Sequence, residues 1–488
     1  MKKRYLLHDF LLLTERILFI ILFIGLFLNL KDYLLYVFKI IKIPIQIDYG
    51  EGFLLNRVKL LLDGKSIFEL YTPIEKVPFT ILNYPPLYVY VVKLCSFKPL
   101  LQTGRIISLI ATFFTVIFIS FSAMNIAKKL DIGFFLPFIF LITYAVHLWS
   151  ALFRVDMLAL FFLFCSIYLY SKRVNPFIVA FFLFLAVYTR QTLLLFPSTL
   201  FLWGLIKKEK YESKIFLYWL IISFITFVFF NYKTHGLFFL HTVIANQNKM
   251  LWEDLIKVWI KHLFYFNFLL LVTWVIAIII LFMNRKKHPQ NVFWIIYTIL
   301  SCVGIITIAK IGAAVNYLLE FYASVVLIIT TAYLQLEKKS LKICILIFLT
   351  LFSFRILNLR NLVWTKLPTY SDILEYKDTV RFIKSYKYPV ISYDGSLLVM
   401  ANKPIIYQPF TMAQLHYQKI WDIKYLINYL RNFSEFILIT NFNINDKAIR
   451  YDLFPPEIIN LTKEKGKLVK TCEFYYQNWY YIYRIKQR

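Results

Sequence analysis

Eleven apolar runs separated by polar connections constrain this 488-residue chain more than any other feature. A helix needs about 20 apolar residues to cross a bilayer. Ile106–Ile126, Gly133–Trp149, Leu263–Met283 and Val292–Ile308 are the full-length candidates. Ile17–Leu30, Met157–Tyr170, Pro176–Tyr188, Leu193–Ile206, Ile215–Phe230, Phe321–Leu336 and Leu341–Leu357 are shorter. Only 17% of residues are charged, against about 25% in soluble proteins. Soluble enzymes, disordered chains and fibrous repeats are thereby excluded. The expectation is an α-helical polytopic membrane protein of about eleven spans.

The connections carry the orientation. Basic clusters at Lys2-Lys3-Arg4, Lys128-Lys129, Lys172-Arg173, Lys207-Lys208, Arg285-Lys286-Lys287 and Lys338-Lys339 fall at every second connection. The positive-inside rule then predicts a cytoplasmic N-terminus, and an odd span count predicts an external C-terminal segment. The first run has no small-residue cleavage site after it and reads as a retained span rather than a signal peptide. The net charge of +28 fits membrane faces, anionic headgroups and phosphates, with no nucleic acid as partner.

Beyond Leu357 the polarity becomes ordinary, which divides the chain into a transmembrane domain, 1–359, and a small α/β domain, 360–488. Ser371–Tyr386 and Trp421–Phe433 predict helices. Pro389–Ser392, Pro404–Tyr407, Phe436–Thr440, Leu468–Phe474 and Trp479–Ile485 predict strands.

In this scheme the unusual polar groups gather on the outer side. The first outer loop, residues 39–104, opens with Asp48-Tyr49-Gly50-Glu51-Gly52. Its glycines are expected to make a tight backbone presenting both carboxylates. Phe53–Asp63, stopped by Gly64, reads as a juxtamembrane helix in the headgroup plane. Asn83-Tyr84-Pro85-Pro86 is a rigid extended segment. Arg154 and Asp156, then Arg190, fall at two further outer turns. Lys310 opens a segment in which Asn316 and Glu320, four apart, share a helical face. His235 and His241 have no ligand-spaced mate and read as loop residues. The five cysteines form no C-x-x-C pair. No Ser/His/Asp arrangement, Gly-rich phosphate loop or D-x-D pair occurs, so no cofactor is required, with a divalent metal left open.

The ordered set of an acidic outer loop, a helix ending Leu61-Leu62-Asp63-Gly64, and Asn83-Tyr84-Pro85-Pro86-Leu87-Tyr88 resembles the GT-C superfamily of polytopic glycosyltransferases. The nearest branch is that of protein O-mannosyltransferases and lipid A aminoarabinose transferases. The Arg154-Val155-Asp156, Thr189-Arg190-Gln191-Thr192 and Gly312 to Glu320 segments complete the likeness, which spans residues 1 to about 360. One departure is that Tyr49-Gly50 splits the acidic pair, where mannosyltransferases have adjacent acids.

The resemblance implies a sugar on a polyprenyl phosphate as donor, membrane lipids around the site, and a lipid, glycan or protein acceptor at the outer face of the cell membrane. Transfer with inversion needs one base and one cation for the leaving phosphate. Asp48 is expected as the base, with Glu51 beside it. Arg190, flanked by neutral residues, and Lys310 are expected at the phosphate, with Arg154 held by Asp156 as a structural pair. Tyr84, Asn316 and Glu320 complete the expected substrate contacts. The competing expectations are a transporter or flippase of lipid-linked sugars, and a structural assembly protein.

Overall fold

A computed structural model describes residues 2–208, 210–363, 367–446, 449–474 and 478–487. All eleven apolar runs lie in helices. The first is α1 (Lys2–Lys42), which extends well beyond Ile17–Leu30 at both ends. After it come α2 (Tyr49–Leu62), α3 (Leu87–Leu94), α4 (Leu101–Ala127), α5 (Tyr144–Trp149), α6 (Asp156–Ser171), α7 (Pro176–Thr189), α8 (Leu195–Lys207) and α9 (Lys210–Lys233). The later apolar helices are Lys261–Met283, Asn291–Gly304, Leu319–Gln335 and Lys339–Val363. Among the described residues, seven helices are long and apolar enough to cross a membrane by themselves.

One full-length expectation changes form. Gly133–Trp149 is not one α-helix but a 3₁₀ helix, Ile132–Ile142, carrying Pro137, followed by α5. Proline removes an amide donor and crowds the preceding turn, which favours the narrower helix. The 3₁₀ rise of about 2.0 Å per residue lets this short segment still cover much of a bilayer's depth.

Helix packing inside the bundle uses small and polar residues. α1 lies against Lys339–Val363, where a Cβ on Gly25 would come 2.8 Å from Ser353 Oγ. Asn29 Nδ2 donates to the Ser353 carbonyl at 3.0 Å at the same crossing. Within lipid such interhelical hydrogen bonds and close backbone approach replace the hydrophobic effect as glue. Leu319–Gln335 is wrapped by its neighbours along nearly its whole length, making it the central helix.

α2 begins earlier than expected. Asp48 caps it, its Oδ2 accepting from Gly50 N at 2.8 Å, while Glu51 reaches back to the Asp48 amide. Gly50 and Gly52 are therefore helical rather than a loop. Gly64, at φ +92°, ends the helix in the left-handed region, as the sequence suggests. Phe53, Leu54, Leu55, Val58 and Leu61 are buried by protein, so this helix does not lie open in the headgroup plane.

The described strands form one four-stranded sheet in the order β1-β2-β4-β3. They are β1 (Val390–Ser392), β2 (Glu435–Thr440), β3 (Gly466–Phe474) and β4 (Asn478–Lys486). β1 runs parallel to β2; the other pairs are antiparallel. The expected helix Ser371–Tyr386 is found as Tyr370–Ser385, and Trp421–Phe433 shortens to Lys424–Leu430. The expected strand Pro404–Tyr407 does not join the sheet. It pairs instead with the first loop: Phe79 N donates to Ile406 O at 2.8 Å and Gln408 N to Phe79 O at 3.0 Å. A second tie is the short helix Gly395–Met400 lying on α2. A Cβ on Gly52 would come 2.1 Å from Ser396 N, so this crossing tolerates no side chain.

Gly52→Ala is therefore expected to lower stability by about 1–3 kcal/mol through overpacking. Thermal unfolding in detergent checks this, with exposed Phe224→Leu as the unperturbed control.

Candidate active site

Asp48 and Glu51 flank one turn of α2, yet their environments diverge. Glu51 is fully buried. Its Oε1 accepts from Arg105 Nε at 2.8 Å and Phe153 N at 2.7 Å. Its Oε2 accepts from Arg105 Nη2 at 2.7 Å and Ile47 N at 2.6 Å. Arg105, on α4, spends its remaining donors on the carbonyls of Ile40, Ile43 and Ile45 at 2.8, 2.6 and 2.8 Å. Burial pushes the Glu51 pKa up, but the Arg105 charge and the surrounding hydrogen-bond donors outweigh it and hold the carboxyl below its ordinary value. This corrects the expectation that Glu51 shares the catalytic task. A carboxylate with every lone pair filled and no solvent has no capacity to take a proton from a substrate.

Asp48 faces the other way, into a cavity of about 260 Å³. Its Oδ2 lies 3.1 Å from Arg154 Nη1. Burial raises its pKa, Arg154 opposes, and the charges of Glu51 and Asp156 add to the rise. Arg154 also donates from Nη2 to the Tyr84 hydroxyl at 3.1 Å and lies over the rings of Trp149 and Tyr84. Gly50 is what admits it, because a Cβ there would fall 1.5 Å from Arg154 Nη1.

The expected pairing of the outer cations is reversed. Asp156 opens α6 and Arg190 closes α7, so the α6–α7 hairpin brings them to the same end. Arg190 Nη1 lies 2.9 Å from Asp156 Oδ1, and Asn316 Nδ2 donates to the same oxygen at 2.9 Å. Trp149 Nε1 donates to Asp156 Oδ2 at 2.6 Å, whereas Arg154 Nε stands 4.0 Å from that oxygen. Arg190 is therefore the neutralised, buried cation, and Arg154 is shared chiefly with Asp48. Lys310 Nζ donates to Asn246 O at 2.8 Å and, among the described residues, forms no ion pair.

A second cavity, of about 210 Å³, lies beyond Lys310, Asn316 and Tyr317, which line both spaces. It holds Arg190 and Glu320 among apolar Leu193, Leu195 and Phe321. Glu320 accepts from the Tyr297 hydroxyl at 3.2 Å. Of the nine expected residues, Asp48, Tyr84, Arg154, Lys310 and Asn316 line the first cavity, and Arg190 and Glu320 the second. Asp156 stands behind the wall, and Glu51 lies deeper in the protein.

Sequence reasoning missed Arg105, Arg57, Tyr49, Tyr393 and Arg450. Only Arg57 had a visible signal, its spacing along the face of α2 that also carries Tyr49 and Phe53. His241 is no loop residue: it is buried in the helix Leu237–Thr242, its Nδ1 accepting from Leu82 N at 3.1 Å and its Nε2 2.9 Å from Thr72 O. Among the described residues, no cluster of three or more His, Cys, Asp or Glu is placed to hold a metal ion.

No protein-family model and no curated protein matches this sequence. Among solved structures, the crystal structure of ArnT from Cupriavidus metallidurans bound to undecaprenyl phosphate aligns with a TM-score of 0.59 at 10% identity. The alignment covers 93% of this chain and 97% of that one. The likeness shows a shared fold over nearly the whole length of both chains.

Arg105→Met strands Glu51 as a lone buried charge and is expected to cost about 3–5 kcal/mol in an unfolding measurement. Because the Glu51 pKa is lowered from 4.5 by folding, its contribution is full above that pH and fades as pH falls through the folded value.

Proposed function

We propose that this chain is a membrane glycosyltransferase that moves a sugar from a polyprenyl phosphate to an acceptor hydroxyl at the outer face of the membrane, with inversion. The observation that carries the reading is the pair of neighbouring cavities that share Lys310, Asn316 and Tyr317 in their walls. One is lined by Asp48, Arg154 and other polar groups; the other presents a mostly apolar surface through Leu193, Leu195, Met250 and Phe321, with Arg190, Lys310 and Glu320 also reaching it. An amphipathic donor has that division, with its sugar in the polar space, its phosphate at the shared wall and its chain in the apolar space. The likeness to a fold whose solved member holds undecaprenyl phosphate supports the same donor class.

The acceptor oxygen attacks the anomeric carbon as the bond from that carbon to the phosphate oxygen breaks. The electron pair leaves with the lipid phosphate, and the acceptor proton passes to Asp48. A raised Asp48 pKa suits this task, since a stronger base takes the proton more readily. Lys310, without a carboxylate partner among the described residues, meets the developing phosphate charge. Arg154, 3.1 Å from Asp48, orients the base and sits within the same cavity. Arg190 acts through Asp156 and Asn316 rather than through the phosphate.

Asp48→Asn is expected to lower turnover about 10²–10⁴-fold, read as loss of donor from a panel of polyprenyl-phosphate sugars. The acid limb of the wild-type pH profile should lie above the ordinary aspartate value of 3.8. Normal turnover in a folded Asp48→Asn would remove the assignment. Lys310→Gln is expected to weaken donor binding with the fold intact, whereas Arg190→Gln, which unpairs Asp156, should lower the unfolding temperature.

A further inference from the structure

The first cavity holds a cation that neither the base nor the donor phosphate explains. Arg57 is 2% exposed yet lines the cavity, and its Nη1 donates to the Leu70 carbonyl at 3.2 Å. Among the described residues it forms no ion pair. Buried charges are ordinarily paired, because desolvation costs several kcal/mol per ion. Burial pulls the Arg57 pKa down to about 10, so the guanidinium stays charged at neutral pH with that cost unanswered.

Its position separates it from the donor. α2 presents Tyr49, Phe53, Leu54 and Arg57 to the cavity, a helical stripe that starts beside Asp48. The backbones of Asp48 and Arg57 are about 13 Å apart along the axis at 1.5 Å per residue, which puts the two residues at opposite ends of the stripe. Arg57 does not line the second cavity, whereas Lys310 lines both. At the Asp48 end of the stripe stands an aromatic wall. Tyr49 packs with Tyr393 at 5.2 Å and with Phe410 at 6.3 Å between ring centroids, and both partners come from the C-terminal part of the chain. Asn83 and Asn248 line the same space. Flat rings beside amides suit the faces and hydroxyls of sugar units.

We infer that the acceptor is an anionic carbohydrate, whose nucleophilic hydroxyl sits at Asp48 while a carboxylate or phosphate on a more distant unit pairs with Arg57. The inference rests on the glycosyltransferase reading for the role of Asp48. A planar guanidinium meets either anion with two parallel hydrogen bonds.

The test titrates the full chain in detergent with a neutral trisaccharide (maltotriose), trigalacturonate and a phosphorylated trisaccharide of equal length, and separately with polyprenyl phosphate. At least one charged trisaccharide should bind about tenfold or more tighter than the neutral one, and which one wins identifies the anion. Arg57→Gln should erase that difference and leave polyprenyl-phosphate affinity unchanged. Arg57→Lys, which keeps the charge without the fork, should retain part of the difference and decides the matter if Arg57→Gln fails to fold. Equal affinity for all three sugars overturns the inference, as does weakened polyprenyl-phosphate binding in Arg57→Gln. Failure of the wild type to bind polyprenyl phosphate would instead remove the donor assignment, with acid selectivity still readable.

Discussion

The buried pair of Arg105 and Glu51 is the interaction on which the rest of the site depends. Arg105 ties the end of α1 to α2 by filling the carbonyls of Ile40, Ile43 and Ile45 while gripping Glu51 through two nitrogens. Glu51 in turn accepts from Phe153 N, which fixes the turn that carries Arg154. Three chain segments far apart in sequence are thus held by one salt bridge. Such a pair adds little net stability over an apolar replacement, but it sets the register of whatever it joins. Here the register places Asp48 at the mouth of α2 with Arg154 against it.

Around that anchor, two acid and cation groups share the work with little overlap. Asp48 and Arg154 face the cavity, while Asp156, Arg190 and Asn316 form a buried brace behind it. The brace fixes the ends of α6 and α7 against the segment containing Lys310. Among the described residues Lys310 is answered by a carbonyl alone, which leaves it charge to offer a ligand. The C-terminal part of the chain closes the other side through Tyr393, Phe410 and Arg450. Its attachment through Phe79 and Gly52 makes the cavity a joint product of the membrane bundle and the sheet-bearing part.

Much of this was legible in the sequence. Apolar runs mark helices because lipid demands internally bonded backbone, and every run proved helical. Short apolar runs likewise mark Pro389–Ser392 and Phe436–Thr440 as strands, found as Val390–Ser392 and Glu435–Thr440 with almost every residue buried. Partner choice among charges was not legible. Arg154 stands two residues from Asp156, yet Asp156 chose Arg190, because hairpin packing decides which side chains meet. The two glycines beside Glu51 suggested a loop; they serve close approach of Arg154 and Ser396, which only the tertiary arrangement reveals. Arg105 gave no signal, sitting one residue before an apolar run like any interfacial anchor.

The central claim is that a lipid phosphate meets Lys310 at the wall between two cavities while its sugar faces Asp48. A structure of the full chain with a polyprenyl-phosphate sugar bound to Asp48→Asn measures this directly. The account predicts phosphate oxygens within hydrogen-bond reach of Lys310 Nζ, the sugar on the Asp48 side, and the prenyl chain running among Leu193, Leu195 and Phe321. A phosphate bound elsewhere, with Lys310 still held only by Asn246 and the second cavity empty, would contradict it.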